Sequence, residues 1–304
     1  MKVAVIGAGG FVGARVAHRL ADRADVTEIA LLDRVPFAHP LRAGIIATVG
    51  DLADSATRTA VLQGADKVIL LAAILGGAAE ANPTLARRVN VDATLDLFDH
   101  LRDHAPKTRL VFASTIAVFA KPMPDPVTDA ALTGPTMLYG AQKLMMEVAL
   151  SNLAIRGQLD GVSLRPSGIM ARDGADAALK SAFMSRLFWC VKRGEDITLP
   201  VAETSRTWLT SIETVAQNFT HAAFLSTVGP VKAFTLPALS LTFGELVAAL
   251  RRRFPASPSR ITFAPDPGTI ALFGSSPTLI TETADRLGFT RDADADALVA
   301  HALT

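Results

Sequence analysis

The chain has 304 residues, half of them hydrophobic and 19% charged, with a formal net charge of +1. That balance predicts a large buried core and lacks the basic footprint a nucleic-acid partner requires. A single cysteine, Cys190, excludes an internal disulfide, and six scattered histidines without ligand spacing predict no bound metal.

Residues 2–7 are a short apolar run ending in glycine, as a buried parallel strand should be. Because this strand starts at Lys2, no leader peptide is expected. No uninterrupted apolar stretch reaches membrane-spanning length, so the expectation is a soluble cytoplasmic protein with no membrane partner. Residues 11–22 read as a helix, 26–33 as a strand ending on Asp33, 44–49 as a third strand and 54–63 as a helix. A fourth strand is predicted at 67–73, a long helix from Pro83 to about His104, and a fifth strand at 109–115. Residues 116–135, rich in Pro, Asp and Thr, read as a loop; a helix carrying Tyr139 runs on to about Arg156, and a sixth strand covers 162–168. Farther on, helices are predicted at 178–193, 212–226, 242–254 and 293–303.

Alternating strands and helices of these lengths imply an α/β fold, a Rossmann-type doubly wound parallel sheet covered on both faces. The expected division is a dinucleotide-binding domain at 1–170 and a smaller substrate-binding cap at 171–304, with interleaving of the two allowed. Such a cap would lie over the carboxyl edge of the sheet, where ligands bind in these folds.

The turn after the first strand reads Gly7-Ala8-Gly9-Gly10-Phe11-Val12-Gly13. Gly7 permits a tight turn, Gly10 a close approach of backbone to a pyrophosphate, and Gly13 close packing of helix on strand. The helix N-terminus at Phe11 and Val12 presents N–H groups and positive dipole to phosphates. Asp33, twenty residues beyond Gly13, is placed to accept from the adenosine ribose hydroxyls and to repel a 2′-phosphate, which favours NAD over NADP. Arg34 beside it is what a 2′-phosphate would want. Asp51, followed by Leu52, either accepts from the adenine amino group or caps a helix. Leu71, Ala72 and Ala73 end the fourth strand with small residues against which a dinucleotide can lie. Asn90, polar on an apolar helical face, either contacts cofactor or ties helix to sheet. Ser114 and Thr115 close the fifth strand with hydroxyls that can point into the crevice.

Tyr139 is the only tyrosine, and Lys143 follows it by four residues, on the same helical face. A positive charge beside a phenol lowers its pKa, and a shift of about three units, roughly 4 kcal/mol, makes it a usable general base.

Together these residues resemble the extended short-chain dehydrogenase/reductase family, which includes the NAD-dependent epimerases and dehydratases. The resemblance implies that Tyr139 is the catalytic acid or base, that Lys143 binds the nicotinamide ribose, and that Thr115, with Ser114 beside it, holds the substrate oxygen. A narrower resemblance, to sugar-acid dehydrogenases of the D-erythronate type, rests on Ala72-Ala73 with Gly76–Glu80, and on Arg88–Asp92, Leu164–Gly174 and Ser205–Leu209. Leu70, Ala93, Phe119-Ala120 and Asp173 depart from that pattern, which bears on the substrate rather than on hydride transfer. The expected activity is NAD-dependent oxidation of a secondary hydroxyl on a small, anionic, polar substrate. Arg172 and Arg206 are candidates to bind its carboxylate. The alternatives are a nucleotide-sugar epimerase or dehydratase that recycles its NAD, and a non-catalytic NAD sensor. By analogy with the family, the helices at 83–104 and 136–156 are expected to pair in a homodimer.

Overall fold

The computed structural model describes residues 1–174 and 181–303. It divides into two compact units. The first comprises Met1–Lys121, Leu132–Arg165 and Ala216–Thr235; the second comprises Pro122–Ala131, Pro166–Val215 and Leu236–Thr304.

In the first unit, strand β1 (Lys2–Ile6), helix α1 (Phe11–Ala21), β2 (Glu28–Asp33), β3 (Ile45–Val49), α2 (Ser55–Leu62) and β4 (Lys67–Leu70) follow the predicted order. Two short helices, α3 (Gly76–Ala81) and α4 (Pro83–Arg87), lead through a π-helical turn, Arg88–Asp92, into α5 (Ala93–His104). The expected single helix from Pro83 is thus interrupted at Asn90. Pro83 opens α4 at a position where its missing N–H costs nothing, and Asn82 caps it by accepting from Leu85 N. Strand β5 (Arg109–Ala113), a 3₁₀ turn at Ile116–Val118, α6 (Leu138–Ile155) and β6 (Asp160–Arg165) complete the predicted series.

The expected sixth strand at 162–168 is broken. Strand β6 ends at Arg165, and Gly168–Met170 is a separate strand, β7, in another sheet. Pro166 between them has no N–H to continue the ladder.

The main sheet has seven strands, all parallel, in the order β10-β6-β5-β4-β1-β2-β3, where β10 is Ala233–Thr235. This is the doubly wound order, extended by one strand that the sequence reading missed. Arg109 anchors the returning segment: its Nη1 donates to the carbonyls of Ala222 (3.2 Å) and Leu225 (3.0 Å), while its Nε pairs with Asp160 (2.7 Å). One face of the sheet packs Ile6, Leu32, Leu70, Leu110 and Phe112 against Leu97, Phe98 and Leu101 of α5 and Met146 and Leu150 of α6. At the edge strand β3, Ile46 and Val49 are more than half exposed.

The second unit holds α7 (Ala182–Arg193), β8 (Ile197–Leu199), β9 (Arg206–Ser211), the first turn of α8 (Ile212–Phe224), β11 (Leu239–Thr242), α9 (Phe243–Arg253) and β12 (Ile261–Phe263). The predicted start of α7, residues 178–180, lies outside the described residues. Strands β11, β9 and β7 form one small sheet, and β12 and β8 another. Helix α9 carries a full capping box, Thr242 with Glu245, which satisfies two N-terminal donors at once. Buried Asp292 accepts from Ser211 N and Oγ and from Thr214 Oγ1, and pairs with His301 Nδ1 at 2.9 Å. That cluster fixes the chain's last helix, Ala295–Ala302, beside β9.

Candidate active site

In the main sheet β1 stands between β2 and β4, so the strand order reverses there and the loops after β1 and β4 face a shared crevice. Those loops are drawn together by backbone bonds: Leu71 N and Ala72 N both donate to Ile6 O, and Gly7 N and Ala8 N to Leu32 O. Gly7 takes φ +89°, and a Cβ there would lie 2.6 Å from Ala72 N. A Cβ on Gly13 would meet the Gly7 carbonyl oxygen at 2.0 Å. By contrast, a Cβ on Gly10 would touch only Gly7 O, at 3.3 Å, so the turn is open on that side. No side chain caps α1, and its first turn carries no acidic residue. A helix start with those features suits a pyrophosphate, so the residues present fit the dinucleotide.

Asp33 ends β2 directly beside this turn. Its Oδ2 accepts from Gly9 N (2.9 Å) and its Oδ1 from Arg34 N (2.7 Å). Gly9 is itself required, because a Cβ there would meet Phe37 Cβ at 2.7 Å. Asp51 does not cap the next helix: Asp54 does, accepting from Thr57 N, while Asp51 accepts from Ala53 N and lies 3.8 Å from the Arg88 guanidinium. Leu52 turns its side chain into the core. Leu71, Ala72 and Ala73 are half-buried. Asn90 is buried with its amide engaged by the chain: it accepts from Ile74 N, donates to Ile74 O and donates to Gln142 Oε1. It ties the loop after β4 to α6.

Helix α6 delivers Tyr139 and Lys143 to the carboxyl end of β5. Gly140 makes this possible, since a Cβ there would lie 2.3 Å from Ala117 O, two residues beyond Thr115. Glu80 accepts from Leu138 N at the helix start (2.6 Å). Lys143 is buried, donates to Ala113 O at 2.6 Å, and lies 4.5 Å from the Phe112 ring centroid and 5.9 Å from that of Tyr139. Loss of water around the ammonium pushes its pKa down to about 7, opposed by the carboxylate of Glu147. A phenolate nearby would favour the charged amine again. Thr115 Oγ1 accepts from Ala117 N, which leaves its proton to donate. The Ser114 hydroxyl is buried without a hydrogen-bond partner among the described residues, although a buried hydroxyl ordinarily has one.

Arg172 and Arg206 belong to the second unit. Arg172 is half-buried, and its backbone N–H donates to Ser185 Oγ. Arg206 is exposed on β9, with Nη1 on Ser240 O at 3.1 Å. Asp173 accepts from Arg193 Nη2 through both carboxylate oxygens. Among the described residues, no three His, Cys, Asp or Glu side chains gather to hold a metal, and no helix is long and apolar enough to cross a membrane.

Gly140, Gln142, Glu147 and Arg165 were not singled out from sequence. The last two form a buried bidentate ion pair directly beyond Lys143. The sequence signal of Glu147 is a charge four residues past Lys143 on the same helical face, and Arg165 stands in the Leu164–Gly174 stretch that carries the narrower resemblance.

The model of the NAD dependent epimerase/dehydratase family matches residues 3–223. A D-erythronate dehydrogenase of Haemophilus influenzae is 30% identical over 97% of this chain and 96% of its own length. One from Cupriavidus necator is 31% identical over 98% of this chain and 97% of its own. Among solved structures, the nucleoside-diphosphate-sugar epimerase from Agrobacterium tumefaciens superposes with a TM-score of 0.88 at 30% identity, covering 98% of this chain and 92% of that one.

Proposed function

The chain belongs to the NAD-dependent epimerase/dehydratase family, and on that premise we propose that it oxidises a secondary hydroxyl of a small sugar acid such as D-erythronate. The observation that carries this reading is the full-length likeness to two D-erythronate dehydrogenases, which runs through the second unit as well as the first. In this reading residues of the first unit hold NAD.

Gly7, Gly10 and the N-terminus of α1 at Phe11 and Val12 hold the pyrophosphate. Asp33 holds the adenosine ribose, Asp51 and Leu52 the adenine, and Leu71, Ala72 and Ala73 flank the dinucleotide. Asn90 keeps that last loop in register with α6. Bound NAD supplies the hydride acceptor. Tyr139 takes the proton of the substrate hydroxyl as the carbon is oxidised. Thr115 and Ser114 hold the substrate oxygen, and the unpartnered Ser114 hydroxyl has its hydrogen bond to give. Lys143 stabilises the phenolate and holds the nicotinamide ribose. Arg172 and Arg206 bind the substrate carboxylate.

The epimerase reading is kept open by the likeness to the Agrobacterium protein. One experiment separates the two: a panel of four- and five-carbon sugar acids, polyols and nucleotide sugars with NAD, following NADH. Net NADH from a sugar acid, lost in Tyr139→Phe, supports the dehydrogenase. Isomerised nucleotide sugar without net NADH would support the epimerase instead.

The protein also pairs as a homodimer through α5 and α6, in the cytoplasm. The support is a row of exposed apolar side chains, Met145, Val148 and Ile155 on α6 with Leu95 on α5.

A further inference from the structure

Tyr139, Lys143 and Glu147 are the only titratable side chains of α6, and they recur at four-residue intervals. Four residues are about one helical turn, so the three form a single stripe with roughly 6 Å of rise between neighbours. Lys143 and Glu147 are each 2% exposed. Although the ammonium and the carboxylate are neighbours, the ammonium is bonded to Ala113 O. The carboxylate is gripped from the other side by Arg165 of β6, Nε to Oε1 at 2.9 Å and Nη2 to Oε2 at 2.7 Å. Arg165 is 5% exposed, its guanidinium lies 5.2 Å from the Phe119 ring centroid, and its Nη1 has no hydrogen-bond partner among the described residues.

A buried ion pair is poor evidence of added stability, because desolvation offsets its attraction. Here it places one anion between two buried cations, directly under the Tyr139–Lys143 pair. We propose that Glu147, locked in place by Arg165, is a positioning residue that favours the charged form of Lys143 over the neutral one and thereby sets how readily Tyr139 gives up its proton.

The geometry fixes the direction of the effect. Glu147 is one turn from Lys143 and two turns from Tyr139, so its field acts on the amine more strongly than on the phenol. Burial drives Lys143 toward the neutral amine, and Glu147 is the group that opposes it. The charges on the surrounding elements are engaged elsewhere. Glu80 accepts from Leu138 N at the start of α6; Arg109 of β5 and Asp160 of β6 pair with each other; Arg87 and Arg88 pair with Asp92 and Asp51. On α5, Arg102 pairs with Asp99 and Asp103, Asp96 faces Arg58, and the His100 and His104 rings lie 4.9 Å apart. The 3₁₀ turn has no titratable side chain, and the π-helical turn presents the neutral Asn90 to Gln142.

The inference rests on Tyr139 being the base, but its test needs no substrate. Tyr139 is the only tyrosine, so near-ultraviolet phenolate absorbance titrates that residue alone. Glu147→Gln should raise the phenolate midpoint by about one pH unit, and Lys143→Met by at least as much, while Glu147→Asp stays near wild type. If Glu147→Gln is too unstable to titrate, Glu147→Gln with Arg165→Met removes both charges of the pair and should still raise the midpoint. An unmoved or lowered midpoint in the Gln variants, with Lys143→Met raised, would overturn the role of Glu147 alone. An unmoved midpoint in Lys143→Met would overturn the Tyr139–Lys143 coupling and the proposal with it. A silent substrate panel beside raised midpoints would count against the sugar-acid reading only.

Discussion

Gly13 lies so close under Gly7 that a side-chain carbon on Gly13 would fall 2.0 Å from the Gly7 carbonyl oxygen. The obstacle is backbone, which cannot rotate aside as a flexible side chain would. Gly13→Ala should therefore push α1 off the sheet and spoil the glycine turn, whereas Gly10→Ala meets only a 3.3 Å contact and should fold. Thermal unfolding with and without NAD checks this. A Gly13→Ala protein with wild-type stability and wild-type stabilisation by NAD would contradict it.

Asp33 accepts from the N–H groups of Gly9 and Arg34, which aims its carboxylate along the turn rather than away from it. Wild type should prefer NAD to NADP by kcat/KM, and Asp33→Asn should narrow that preference by about tenfold or more, one charge-assisted hydrogen bond being at stake. An equal preference in the wild type would show that Arg34 governs the choice.

Lys143 carries a stability signature. Its folded pKa, about 7, is below the ordinary lysine value, so between about pH 7 and 10.5 the unfolded chain binds the proton that the folded chain has lost. Burying the ammonium therefore costs most below pH 7, and the cost is relieved as pH rises. Relative to Lys143→Met, wild type should gain unfolding free energy with pH in that window, by at most about 1.4 kcal/mol per unit. Denaturant unfolding of both proteins at pH 7 and 9 measures this; a flat difference would mean that the amine stays charged in the folded state.

Arg206 has one guanidinium nitrogen on Ser240 O, and its side chain is exposed. Arg206→Met should lower kcat/KM for a carboxylate substrate by about ten- to a hundredfold, and much less for the uncharged alcohol analogue. Equal losses on both would assign the arginine to the fold of β9 instead.

Met145, Val148 and Ile155 form an exposed apolar row on α6. A dimer mass is expected in solution at micromolar concentration, and Val148→Glu should shift it toward the monomer, since a charge buried in such an interface is left without a partner. A wild-type monomer at that concentration would refute the pairing.

Much of the first unit was legible in the sequence because its signals are local. Short apolar runs marked β1, β2, β4 and β5; the glycine turn and Asp33 sat at their expected spacing; and Tyr139 and Lys143 needed only a helix to share a face. What tertiary structure decided depends on partners far along the chain. Strand β10 joins the main sheet from residue 233 because Ala233–Thr235 pair with Ser163–Arg165 and Arg109 binds the carbonyls of Ala222 and Leu225, contacts no periodicity announces. The break of the sixth strand at Pro166, the capping of α2 by Asp54 rather than Asp51, and the tie of Asn90 to Ile74 and Gln142 were settled by which donors lay within reach. Local pattern determines which residues form an element and which face they share. Whether Glu147 stands free in water or lies buried against Arg165, one turn from Lys143, depends on a strand that begins thirteen residues later, and only close packing brings the two together.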